Sequence, residues 1–133
     1  MLTIMLAAAA LPLLAMTACP VDPAIANVVA KPLSDNGNLT DYDVAITLKN
    51  VGSRNQPATV LQSVNIYQDA TKVDQKGAQP LRAGASETLH YRFERSSEAR
   101  TGSTHMRFRL VVRDPHVAVQ DCSTANDSFR LDV

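Results

Sequence analysis

The stretch THMRFRLVVR, residues 104–113, decides the fold. Met106, Phe108, Leu110 and Val112 alternate with His105, Arg107 and Arg109. A period of two puts one set on each face of a β-strand. The same alternation recurs at Val44, Ile46 and Leu48, at Leu89, Tyr91 and Phe93, and at Phe129, Leu131 and Val133. Strands with one apolar face each must close over a shared core, which predicts a β-sandwich.

Turn signals space the remaining strands. Strand A is expected at Ile25–Val29, B at Tyr42–Lys49, C at Val60–Gln68 and D at Lys72–Lys76. Strand E falls at Glu87–Glu94, F at Thr104–Arg113 and G at Asp127–Val133, with a brief extended piece at Val117–Val119. Ser34 to Asn38 is a turn around Asn36-Gly37, and Gly84 suits a positive φ angle in the loop from Pro80 to Ser86. Seven strands at this spacing predict an all-β, immunoglobulin-like antiparallel sandwich over residues 25–133. An antibody-type domain is excluded: the chain has no Trp, and no Cys pair joins B to F. Apolar pins such as Ile46 and Phe108 must therefore hold the sheets together.

Residues 1–18 (MLTIMLAAAALPLLAMTA) carry no charge and read as a signal peptide, too short for a comfortable membrane span. Residues 19–24 then form a tether, where Pro20 and Pro23 forbid a helix. Met16-Thr17-Ala18-Cys19 resembles a bacterial lipobox, which makes Cys19 a lipidation site and the membrane a partner through a lipid anchor. The alternative is a Cys19–Cys122 disulfide, since an exported chain meets an oxidising compartment and these are its two cysteines. Either fate places the protein outside the cytoplasm, in the periplasm or outer membrane as a lipoprotein, or secreted.

Thirteen Lys and Arg balance thirteen Asp and Glu, so bulk charge implies neither nucleic acid nor an anionic membrane surface. No G-x-S-x-G, phosphate loop or other catalytic constellation is present. His90 on E, His105 on F and His116 after F fall on different surfaces and do not converge as zinc ligands must. Asp35, Asn38, Asp41 and Asp43 lack the spacing of a calcium loop and read as turn residues. No cofactor and no metal site is expected.

A family resemblance sits on three stretches: Leu48-Lys49-Asn50-Val51-Gly52 with Val64-Asn65-Ile66-Tyr67, Leu81-Arg82-Ala83-Gly84-Ala85-Ser86, and Val111 to Asp114 through Val119-Gln120-Asp121 to Asn126-Asp127. Together they resemble the CARDB family (cell-adhesion-related domain found in bacteria) over about residues 24–133. The resemblance implies a seven-stranded sandwich at the bacterial envelope, used as a non-catalytic module. It transfers no binding site.

The candidate site comes from strand geometry instead. With Phe108 and Leu110 inward, Arg107, Arg109 and Arg113 form one outward row, and Arg130 lies outward on neighbouring strand G. Arginine forks suit carboxylates and recur at interfaces, so this row is a candidate docking face for an acidic partner protein or anionic envelope polymer. The competing use of these arginines is a solvated outer face balanced by Asp132 and others. At the level of function, protein–protein contact or adhesion leads. Carbohydrate binding and structural assembly through the sheet edges of A and D are the alternatives.

Overall fold

Alternation in the sequence becomes two layers in the computed structural model, which describes residues 20–35, 39–96, 104–116 and 126–133. The signal segment 1–18, Cys19, Cys122, the Asn36-Gly37 turn and the piece at Val117–Val119 lie outside the described residues. The strands are β1 (Pro23–Asp35), β2 (Leu39–Asn50), β3 (Leu61–Gln68), β4 (Thr71–Ala78), β5 (Ser86–Ser96), β6 (His105–Arg113) and β7 (Ser128–Asp132). They form a three-stranded sheet, β1-β2-β5, facing a four-stranded sheet, β4-β3-β6-β7. Every ladder is antiparallel. This is a seven-stranded immunoglobulin-like sandwich.

The inward set of each strand makes the core. Val44, Ile46 and Leu48 of β2 meet Val64 and Ile66 of β3 and Met106, Phe108 and Leu110 of β6 in one buried cluster. Phe108 sits at its centre, fully buried, between Ile66 on one neighbouring strand and Phe129 on the other. Leu89, Tyr91, Phe129, Leu131 and Val133 pack against its rim.

The first strand departs from expectation. It starts at Pro23, inside the span assigned to the tether, and runs on to Asp35, inside the span assigned to a turn. Two irregularities hid it. The ladder to β2 skips between Ile25 and Asn27, so Ile25 and Val28 both face the core although three positions apart. A bulge of this kind breaks the period of two that betrays a strand. Beyond Ala30, every residue of β1 is exposed, so no apolar pattern marks its second half. Pro32 is tolerated because β1 is an edge strand. β1 pairs with β2, not with the last strand, yet its start lies near the approach to β7: Asn126 Nδ2 donates to Asp22 Oδ1 at 3.1 Å.

One end of the sandwich is closed by buried amides. Asn50 is fully buried at the end of β2. Its Oδ1 accepts from the backbone N–H of Gly52 (3.0 Å) and of Asp22 (3.2 Å). Its Nδ2 donates to the carbonyls of Arg54 (2.8 Å) and Leu81 (3.1 Å). Gln56 and Gln62 exchange reciprocal amide bonds beside it, and Gln56 Oε1 takes the Leu81 N–H at 2.8 Å. Gly52 is required there, because a Cβ would lie 2.5 Å from Pro20 O. Gly84 holds a φ of 75° and donates its N–H to Asn50 O.

Two substitutions test these assignments. Phe108→Ala empties an aromatic site in a closed core and should cost about 3–5 kcal/mol. A thermal melt matching the wild type would place Phe108 elsewhere. Asn50→Ala leaves two part-buried N–H groups and two carbonyls without their partner, and should cost about 3 kcal/mol in denaturant unfolding.

Candidate functional site

Residues on β6 alternate exposed and buried, so Arg107, Arg109 and Arg113 share the outer face of the four-stranded sheet. Register brings Arg130 of β7 directly opposite Arg107. All four guanidinium groups are on exposed residues. Like charges opposed across two strands repel. No ion pair relieves them among the described residues.

Asp132, which would balance the face under the competing reading, lies on the same side and is bonded to a histidine. His105 stands opposite Asp132 across β6 and β7, and its Nδ1–H donates to Asp132 Oδ1 at 2.7 Å. That hydrogen bond, followed by the carboxylate's charge, raises the His105 pKa above its ordinary value; Asp69 adds a smaller push in the same direction. His105, Met106, Arg107, Arg130 and Asp132, with Asp69 and Ala70 of the β3–β4 turn, line an open depression of about 570 Å³. The turn is two residues long, between Gln68 and Thr71, with Asp69 at a φ of 52°. Asp is one of the few side chains that enter this region readily. Its N–H is held by His105 O at 2.8 Å, which fixes the turn against β6.

The rest of the face is mixed in character. The Arg107 guanidinium lies over the Tyr67 ring of β3, 4.5 Å from its centroid, a cation–π contact that orients the side chain. Asn65 stands opposite Arg109, and its shielded Oδ1 accepts no hydrogen bond among the described residues. Leu61 (52% exposed) stands opposite Arg113, and Val111 (41%) lies between Arg109 and Arg113. Apolar side chains thus alternate with guanidinium groups along the row.

The histidines do not converge. His90 is on the other sheet, with Nδ1 3.0 Å from Asp43 Oδ2, and His116 follows β6. Asp41 accepts from Ser34 Oγ at 3.0 Å, and Asn38 lies outside the described residues. No group of three or more His, Cys, Asp or Glu among the described residues is arranged to hold a metal ion.

Comparison with solved structures places the architecture. The CARDB domain of a protein from Pyrococcus furiosus, determined in complex with di-metal ions, superposes with a TM-score of 0.54 at 18% identity, covering 85% of this chain and 86% of that one. The chain has the CARDB fold. No family model matches the sequence, and no curated protein matches it. The two CARDB-like loop stretches, Leu48 to Gly52 and Leu81 to Ser86, are readable as architecture. Asn50, Gly52, Leu81 and Gly84 all build the closed end of the sandwich, whereas the arginines stand apart from it on the outer sheet face.

The His105–Asp132 pair carries a pH prediction. A histidine whose native pKa is raised contributes stability that is fully present below about pH 6.5 and lost as pH rises through the higher native value. An NMR titration should find His105 above its ordinary pKa, and Asp132→Asn should return it towards that value. An unmoved titration curve in Asp132→Asn would show that the carboxylate does not set it.

Proposed function

We propose that this chain is a non-catalytic envelope module that docks an acidic segment of a partner protein on the outer face of its four-stranded sheet. The observation that carries the reading is the facing pair Arg107 and Arg130, flanked by Arg109 and Arg113, with no carboxylate in ion-pair contact among the described residues. An arrangement that repels itself gains most from an incoming anion, and guanidinium forks bind carboxylates bidentately. Leu61 and Val111 supply apolar contact between the charges, a mixture suited to a protein surface. The signal segment and the lipobox-like Met16 to Cys19 support export, with Cys19 as the anchor or as the partner of Cys122.

A carbohydrate-binding role is less well supported. Sugar platforms need free aromatic faces. The chain has three Tyr and three Phe. Phe93, Phe108 and Phe129 serve the core, Tyr42 and Tyr91 stack on Phe93, and Arg107 covers Tyr67.

The test is an Arg107→Glu/Arg109→Glu double variant in pull-downs from the native envelope, read at low and at physiological salt. Loss of a salt-sensitive partner, with the melting temperature retained, is expected. An unchanged capture profile would remove the docking face.

A further inference from the structure

The four sheet edges are not equally protected. An edge strand exposes unpaired N–H and C=O groups, and proteins blunt such edges with proline, lysine, bulges or short length. β1 carries Pro23 and Pro32 and two breaks in its ladder. β4 carries Lys72 and Lys76 and a bulge at Val73. β7 is five residues long. β5 has none of these four and relies on charge alone: Glu87 and Arg95 at inward positions, Arg92 and Glu94 at outward ones. It runs eleven residues without Pro, Gly or Lys, and pairs with β2 in unbroken register from Ser86 to Ser96. Its other edge has no strand partner among the described residues.

Charges on the exposed face of β5 say what fits beside it. Glu94 is exposed and stands opposite Asp41 of β2, a like-charge pairing. Arg92 is exposed two positions away, and its cross-strand neighbour Asp43 is engaged by His90. Each would gain from an opposite charge arriving on the free side. The chain itself supplies both charges in the required order. If a second β5 pairs antiparallel about Phe93, Arg92 of each copy lies opposite Glu94 of the other, because paired positions are then symmetric about residue 93. The start of β5 is already approached from its own molecule, where Gln79 N–H donates to Glu87 Oε2 at 3.0 Å. Further along, Tyr91 and Arg95 turn inward to Gln68 and to Val133 O, while Arg92 and Glu94 lie on the outer face.

We propose that β5 is a self-pairing edge, through which two copies of this chain join into one six-stranded sheet of order β1-β2-β5-β5-β2-β1, locked by two reciprocal Arg92–Glu94 pairs. The contact is isologous, so it closes at a dimer and does not propagate into a fibre. It lies on the opposite sheet from the arginine face and leaves that face uncovered.

Sedimentation equilibrium of the full chain in reducing buffer, which removes any contribution from cysteine pairing, tests the proposal. The wild type should show a concentration-dependent monomer–dimer equilibrium. Arg92→Glu alone and Glu94→Arg alone each place like charges opposite one another twice and should weaken the dimer roughly tenfold, the scale of two surface ion pairs lost and reversed. The double variant Arg92→Glu/Glu94→Arg restores complementarity and should recover the wild-type constant. Both residues are exposed, so folding is unaffected, and a melt of each variant checks this. A chain monomeric at every concentration would overturn the proposal. So would a dimer indifferent to the single variants, or single-variant losses that the double variant fails to rescue.

Discussion

The structure hangs on one buried amide. Asn50 ends β2 where three segments meet: the entry to β1 at Asp22, the β2–β3 loop at Gly52 and Arg54, and the β4–β5 loop at Leu81. Each segment brings backbone groups out of water, and a buried group without a partner costs about as much as a hydrogen bond lost. An asparagine side chain offers two donors and two acceptor lone pairs, and here all four are used. Its own N–H and C=O go to Ala85 O and Gly84 N. No apolar residue could fill this place, and a carboxylate would set oxygen against the carbonyls of Arg54 and Leu81. Because the loops at this end are fixed, the strands leaving them are held in register along their length. The opposite end, where β3 turns into β4 and β6 begins, can then carry a depression instead of a seam.

This accounts for what the sequence could and could not disclose. Strands β2, β5, β6 and β7 were legible because a period of two survives wherever one face is buried and the ladder is regular. β1 was only half legible: its bulge beside Ala26 puts Ile25 and Val28 on the same side, and its exposed half has no apolar partner to alternate against. The two further sheet edges, β5 and β7, were also unreadable, since sheet order depends on pairings between distant strands. The arginine row followed from alternation on β6 alone. The fate of Asp132 did not, because it depends on the register that sets His105 opposite it, 27 positions away. Asn50 and Gly52 were conspicuous as a motif, but their partners lie as far off as Leu81 and Ala85, and only the fold brings them together.

The two loop motifs and the arginine site thus occupy different parts of the molecule, while the motif stretches on β3 and β6 run through the arginine face with Tyr67, Val111 and Arg113. The loop stretches that resemble CARDB domains supply the amide clasp, the buried Leu81 and the positive φ of Gly84. They report how the sandwich is closed, and such features say little about what a domain binds. The functional question falls to the outer faces of the sheets, where side chains are free to vary without disturbing the core.

On those faces the balance of charge breaks down locally. The chain is neutral overall, yet four of its arginines gather on one face. The outer face of the three-stranded sheet mixes Asp41, Asp43 and Glu94 with Lys31, Lys49, His90 and Arg92, and its polar groups largely satisfy one another: Ser34 with Asp41, His90 with Asp43, Thr47 with Thr88. The outer face of the four-stranded sheet concentrates Arg107, Arg109, Arg113 and Arg130, with Asp132 of β7 at its end, bonded to His105. A solvated surface selected only for solubility gains nothing from this gathering, since interspersed signs serve it better. Gathering on one face does serve a module that meets different neighbours on its two sides. The sandwich core, about 10 Å thick in such folds, keeps the two faces apart in space, and beyond roughly a Debye length in physiological salt neither face strongly feels the other's charge.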